Sequence, residues 1–224
     1  MLKLNEIYLG DCLQLLKDIP DKSIDLCLTD PPYGIGCKYL SYDDTKENLV
    51  RLIKQFMPEV LRVSKRVAIF CGVQNIWLYP QADWIMSYSW NTTATYGKMG
   101  YSQWQPILFY GNDIKGYGSV NGVLKSDSIH LSGGGGAFGG CLGVFDFPKD
   151  KHPCPKPETI INRLILRLSN ERDLVLDPMI GSGTTAIACI KHNRNFIGME
   201  LDLTYVAAAR ERVKQELMQL RLEV

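Results

Sequence analysis

Five consecutive residues, Asp30-Pro31-Pro32-Tyr33-Gly34, combine a carboxylate, a stiffened backbone and an aromatic ring. They follow the apolar run Ile24 to Thr29, which reads as a buried strand, and open α/β sheets place ligands just past the carboxyl ends of their strands. Two prolines in a row fix φ and push the residue before each into extended geometry. The Asp30 carboxylate and the Pro31 carbonyl then stand side by side as acceptors, a match for an exocyclic NH2 with two donors. Held at both N–H groups, such a nitrogen directs its lone pair out of the ring plane, toward an incoming methyl group. Tyr33 offers a face on which a base could stack. The plain alternative is a rigid turn with no chemistry, and a second ligand-type site on the same chain weighs against it.

That second site is Leu174-Val175-Leu176-Asp177-Pro178-Met179-Ile180-Gly181-Ser182-Gly183-Thr184-Thr185-Ala186, a strand, a Gly-rich turn and a helix start. Gly181, Gly183 and Ala186 satisfy G-x-G-x-x-G/A spacing: one glycine for the tight turn, one for close ligand approach, and a small third residue for helix packing. Glu200 ends the next strand, where a carboxylate accepts ribose hydroxyls. Alone, the spacing could mark a structural turn, but strand, helix and acid together favour a ligand. No G-K-[ST] follows, which disfavours a phosphate-binding loop. Asp177 would repel a pyrophosphate and suits an ammonium or a sulfonium.

The elements that must position these residues follow an α/β pattern with a mainly parallel sheet. Strands are expected at Glu6 to Gly10, Ile24 to Thr29, Arg66 to Cys71, Asp173 to Leu176 and Phe196 to Glu200. Helices are expected at Asp11 to Asp18, about Lys46 to Val63, Pro157 to Leu168, Gly183 to Lys191 and Leu203 to about Leu220. Between Tyr88 and Asp150 the chain is rich in aromatics, Gly and Ser, with strand-like runs at Trp90 to Tyr96 and Gln105 to Tyr110. Gly133 to Gly136 and Gly139-Gly140 read as a mobile insertion carrying recognition.

Composition sets wider bounds. At 224 residues the chain suits a single domain. No apolar run approaches the roughly 20 residues of a membrane helix, and no signal sequence opens the chain, which points to the cytoplasm. Seven cysteines, without a C-x-x-C pair, argue against a disulfide framework or zinc, and the histidines lack metal-ligand spacing. A net charge of +1 leaves any nucleic acid to a local basic patch. Lys46, Arg51, Lys54, Arg62, Lys65 and Arg66 could form one, or merely a solvated face. The apolar stripe from Leu203 to Leu220 fits core packing or a homodimer contact.

The two sites together resemble the DNA amino-methyltransferases acting on adenine N6 or cytosine N4, in the permuted β-type order where the catalytic tetrapeptide precedes the cofactor-binding half. The resemblance covers nearly the whole chain except about 111–150. It implies a Rossmann-like S-adenosylmethionine-dependent methyltransferase fold, mainly parallel with helices on both faces, as one domain with a short target-recognition insertion at about 88–150. Asp30, Pro31, Pro32 and Tyr33 match the catalytic tetrapeptide. Asp11 and Cys12 in Tyr8-Leu9-Gly10-Asp11-Cys12 match the strand end that holds the cofactor adenine. His152-Pro153 and Lys156-Pro157 match the H-P-x-x-K-P segment beside the methionine moiety. Asp177, Gly181, Ser182, Gly183 and Thr184 match the D-P-x-x-G-S-G-T loop, and Glu200 the ribose-binding acid.

The resemblance further implies S-adenosylmethionine as cofactor, DNA as partner, no metal, and adenine N6 as acceptor, since cytosine-N4 enzymes usually carry Ser in place of Asp30. Rival readings are cytosine N4, adenine in RNA, a glutamine amide, and a non-catalytic cofactor-binding subunit.

Overall fold

The Asp30-Pro31-Pro32-Tyr33 and Gly-rich turns leave neighbouring strands of one sheet. The computed structural model describes residues 2–90, 95–97, 100–102, 104–112, 119–121, 123–124, 126–131 and 153–222. Its main sheet contains β1 (Glu6–Leu9), β2 (Ile24–Thr29), β3 (Ser64–Phe70), β4 (Trp84–Trp90), β5 (Trp104–Gly111), β6 (Ser128–Leu131), β7 (Leu174–Asp177) and β8 (Asn195–Glu200), in spatial order β1-β8-β7-β2-β3-β5-β4-β6. Adjacent strands from β1 to β3 are parallel, as are β4 and β6, whereas β5 runs antiparallel to both β3 and β4. The helices are α1 (Cys12–Leu15), α2 (Lys46–Val63), α3 (Glu158–Leu168), α4 (Thr184–Lys191) and α5 (Leu203–Leu222).

Strand side chains alternate between two apolar layers, as a pleated sheet requires. Leu26, Leu28, Ala68, Phe70 and Val175 face α3, α4 and α5, while Cys27, Val67, Ile69 and Leu176 face α2. Each fully buried aliphatic chain here contributes about 1.5–3 kcal/mol, so the two layers clamp the strand ends that carry the site. Helix α2 starts at Thr45, whose hydroxyl accepts from the Asn48 amide, and it accommodates Pro58 internally.

Two expected boundaries shift. The strand expected at Trp90 to Tyr96 covers the end of one strand and part of another: Trp84–Trp90, where Met86 and Tyr88 are buried and Ile85 is 46% exposed, and Thr95–Gly97, which pairs antiparallel with Gly100–Ser102, while 91–94 lie outside the described residues. Period-two burial sets the first of these, not the density of β-branched residues just beyond it. The helix expected at Asp11 to Asp18 is one α turn, Cys12–Leu15, followed by a 3₁₀ turn, Leu16–Asp18. The glycine segment 133–140 and His152 lie outside the described residues. On α5, Val206 and Ala209 are core residues, while Leu217 and Met218 are about half exposed, so the apolar stripe packs only along its first turns.

Candidate active site

Asp30 begins the turn after β2, and each of its oxygens has a partner. The Tyr33 hydroxyl donates to Oδ1 at 2.5 Å, and the Lys156 ammonium pairs with Oδ2. Burial first, and the Asp30 charge second, push the Tyr33 phenol well above its ordinary pKa, so it stays protonated as a donor. The Gln105 amide, at the head of β5, donates to the same phenol oxygen, while its own Oε1 is buried without a protein partner. The Asn75 amide donates to the Tyr33 carbonyl at 2.7 Å. Behind the turn, Asp44 is 2% exposed and accepts from the amides of Gly34, Ile35 and Cys37. Pro31 is buried, and Pro32 lines the larger of two clefts described below.

The turn after β7 is built differently. Gly181 (φ 49°) and Gly183 (φ 84°) take the left-handed conformation that glycine adopts without strain. A Cβ on Gly183 would also meet the Ala209 Cβ at 3.0 Å, so α4 and α5 pack too closely there for a side chain. Asp177 accepts from the hydroxyls of Thr29 (2.8 Å) and Thr185 (2.6 Å) and from the Met179 amide (3.2 Å). Burial raises its pKa to about 6, with both threonine hydroxyls opposing the shift. Since β2 and β7 pair in parallel, the Thr29–Asp177 bond ties the two strand ends that carry the site.

Glu200 ends β8. Its oxygens accept from the Gly181 amide (3.0 Å) and the Asp202 amide (2.9 Å), and burial raises its pKa against those donors. Asp11 caps α1 by accepting from the Leu13 amide at 2.9 Å. Beside it the Cys12 thiol is pushed up to about 12, by burial and then by Asp11, and is not a nucleophile at neutral pH.

These residues meet in two contiguous clefts. The larger, about 360 Å³, is lined by Asp11, Cys12, Pro32, Tyr39, Tyr42 and Glu200. The smaller, about 40 Å³, is lined by Lys156, Asp177, Gly181, Ser182, Thr184 and Phe70. Asp30 and Met179 line both.

The donor set fits S-adenosylmethionine. A carboxylate offers about four lone-pair directions, so Glu200 can accept ribose hydroxyls beyond its two backbone donors. Asp11 offers an acceptor for the adenine amine, and Lys156 is a cation for the amino-acid carboxylate. Asp11, Cys12, Asp30, Pro32, Lys156, Asp177, Gly181, Ser182, Thr184 and Glu200 line the clefts, Pro31 and Tyr33 lie in the turn after β2, Gly183 lies in the turn after β7, and His152 lies outside the described residues.

Sequence reading missed Gln105, Asn75, Asp44 and Thr29. Gln105 carries a legible signal, one amide heading the buried run Gln105 to Tyr110. Of the basic cluster, Arg62 pairs with Asp21 and Glu59, Lys65 with Asp25, and Arg66 with Asp173, so these three brace the structure. Arg51 lines the larger cleft. The expected absence of disulfides fails at Cys154, which is disulfide-bonded, while Cys12, Cys27, Cys37, Cys71 and Cys189 are free. Among the described residues no three His, Cys, Asp or Glu side chains cluster as a metal site, and no helix is long and apolar enough to cross a membrane.

A largely parallel sheet with helices on both faces, and strand ends meeting in a cleft of this chemistry, define a methyltransferase fold. Solved structures agree. M1.HpyAVI complexed with S-adenosylmethionine aligns with a TM-score of 0.61 at 22% identity, over 92% of this chain and 98% of that one. PvuII DNA methyltransferase (cytosine-N4-specific) aligns with a TM-score of 0.66 at 17% identity, over 94% and 90%.

The family model described as DNA methylase, of the N6/N4 methyltransferases, matches residues 72–211. Type II methyltransferase M.HpaI of Haemophilus parainfluenzae is 30% identical over 233 residues, covering 92% of this chain and 73% of that protein. DNA adenine methyltransferase YhdJ of Escherichia coli (strain K12) is 30% identical over 236 residues, covering 88% and 78%. The chain belongs to the N6/N4 DNA methylase family, whose members are S-adenosylmethionine-dependent DNA methyltransferases.

Proposed function

We propose that this protein methylates adenine N6 at specific sites in DNA. The observation that carries the proposal is a carboxylate, Asp30, at the position that meets the amine, set between a tyrosine hydroxyl and a lysine ammonium. Identity to the adenine methyltransferase YhdJ supports it. Residues 88–150 serve as the target-recognition insertion of a single methyltransferase domain.

S-adenosylmethionine supplies, when bound, a methyl carbon made electrophilic by its sulfonium. The protein's contribution is orientation and electrostatics. Asp11 and Cys12 would border the adenine of the cofactor, Glu200 would accept from its ribose, and Lys156 with the Gly181-Ser182-Gly183-Thr184 turn would receive its amino-acid end. Asp177, charged above pH about 6, offsets positive charge in the smaller cleft.

A base amine is a poor nucleophile because its lone pair is spread into the ring. Accepting hydrogen bonds at Asp30 and the Pro31 carbonyl localises that pair, and Asp30 stabilises positive charge growing on nitrogen. No residue needs to remove a proton before the N–C bond forms; the surplus proton leaves afterwards to solvent. Extruding the base from a duplex costs a few kcal/mol, offset in part by stacking on Tyr33.

The test is to incubate the protein with radiolabelled S-adenosylmethionine and unmethylated DNA, then digest to nucleosides. Label in N6-methyladenine is expected. Label in N4-methylcytosine would overturn the base assignment, and no label in DNA would overturn the reading as a catalyst acting alone.

A further inference from the structure

Trp77 is, at 89%, the most exposed large apolar side chain among the described residues, and it stands beside the turn after β2. It belongs to a 3₁₀ helix, Val73–Leu78, that follows β3. The helix is anchored on its inner side. Asn75 is buried, donates its amide to the Tyr33 carbonyl at 2.7 Å, and accepts from the Lys46 ammonium at Oδ1. Ile76 and Leu78 pack half-buried against the α2 layer, and Tyr79 just beyond is buried. A Cβ on Gly72 would meet Asn75 Nδ2 at 3.3 Å and Tyr33 Cδ2 at 3.9 Å, so the head of the helix lies against the Tyr33 ring. Side chains three apart eclipse in a 3₁₀ helix, which leaves the exposed Gln74 and Trp77 together on its outer face.

Resting on the reading that a base leaves duplex DNA to stack on Tyr33, we infer that Trp77 is the wedge that fills the gap this base leaves. Gln74 beside it meets the orphaned partner base. A base still joined to its backbone reaches Tyr33 only if the duplex lies over this end of the sheet. Trp77 sits about 4 Å along the helix axis from Asn75, which bonds to Tyr33. Extrusion strips the flanking base pairs of a stacking neighbour, and an aromatic ring stacks on any base. Apolar wedges that open a base step work in this way. A side-chain amide has both donors and an acceptor, so Gln74 suits whichever base is left unpaired. The anchored inner side matters, because a wedge on a yielding loop would be pushed aside. Trp84 provides the contrast. It is 59% exposed at the start of β4, four residues before Tyr88, which pairs with Gln105. That places it about 13 Å down the strand from the level of the site.

Once the methylated position is mapped, kcat/KM is measured on a short duplex carrying it and on the same duplex with a pyrene nucleotide opposite the target. Pyrene is as broad as a base pair, so it fills the gap and holds the target base out. On the ordinary duplex Trp77→Ala should lower kcat/KM at least about tenfold, within the range of one base–aromatic stack. With pyrene in place the variant and the unaltered protein should agree within about twofold, since neither then has a gap to fill. Gln74→Ala should cost about threefold on the ordinary duplex and nothing when the opposite position is abasic. Both side chains are exposed, so Tm should not move.

Equal losses for Trp77→Ala on both duplexes, or no loss on either, would overturn the inference. Indole emission gives a second reading that needs no turnover. The ordinary duplex, added with S-adenosylhomocysteine, should quench emission in the unaltered protein and in Trp84→Phe, and much less in Trp77→Phe. Undiminished quenching in Trp77→Phe would overturn the wedge. So would quenching that follows protein concentration without DNA, which assigns Trp77 to a second copy of the chain. No label in any DNA from the unaltered protein sinks the proposed function, whereas normal methylation by Trp77→Ala sinks only the wedge.

Discussion

The turns after β2 and β7 end adjacent strands, yet they are fixed in opposite ways. The β7 turn is shaped first by its own backbone: two left-handed glycines set it and the Gly183 amide donates to the Ile180 carbonyl at 2.9 Å, with Glu200 taking the Gly181 amide and Arg212 donating to the Ser182 carbonyl as outside supports. The β2 turn is held from outside, by Asp44, Asn75, Gln105 and Lys156, which lie 10, 42, 72 and 126 residues along the chain from their partners. A turn written in its own backbone tolerates changes elsewhere and fails when a glycine is replaced. A turn braced by remote side chains keeps its stability and loses alignment when one brace goes.

The largest effect expected from breaking this contrast is at Asp30. Asp30→Ala should lower methyl transfer about 10³-fold, as removal of one preorganised charge does, while leaving S-adenosylhomocysteine affinity within a few-fold of the original. Radiolabel incorporation against calorimetric binding checks it, and near-normal turnover would remove Asp30 from the mechanism.

Next is the pH response of Asp177. Its folded pKa of about 6 lies above the value of about 3.9 for an unfolded chain. The folded state therefore binds more protons between those values, and the buried charge costs stability as pH rises from about 4 to about 6, levelling off above. The penalty is about 3 kcal/mol at neutral pH. Denaturant melts of Asp177→Asn should gain on the unaltered protein by that order between pH 4 and 7. Binding of S-adenosylmethionine to the unaltered protein should weaken below pH about 6. A stability gap between the two proteins that does not vary with pH would contradict the assigned burial.

Gly183→Ala should come third, costing about 2 kcal/mol from left-handed strain and the Ala209 contact, read as a lowered Tm together with weaker cofactor binding. Smallest is Gln105→Leu. With the Tyr33 brace gone, kcat should fall about tenfold at unchanged Tm and cofactor affinity, and Gln105→Glu should recover part of the loss only at low pH, where the new carboxyl can donate. If Gln105→Leu instead lowers Tm as much as Gly183→Ala does, the contrast between local and remote bracing is wrong.

The same contrast explains what could be read from the sequence. Strand–turn–helix spacing, left-handed glycines and the strand-end acid are local, and the β7 half of the site was legible down to Glu200. Asp30 and Tyr33 were legible for the same reason, with two prolines marking the turn. Of their braces Lys156 was legible as a site residue, but nothing near Gln105 or Asn75 in sequence says that they reach Tyr33. The side of the sheet holding β4 and β6 was read less well than the rest: β2 and β7 carry apolar runs, whereas β4 shows its alternation only through which of its side chains are buried.

The Thr29–Asp177 bond joins residues 148 positions apart. While a ribosome has delivered only residues up to about 150, β2 has no β7 to pair with and the turn after β2 lacks its Lys156 brace, so neither half of the site is complete. The same later segment supplies Lys156, β7 and β8, and in the finished sheet β8 and β7 lie between β1 and β2. A nick or deletion in either portion should silence both halves of the site together.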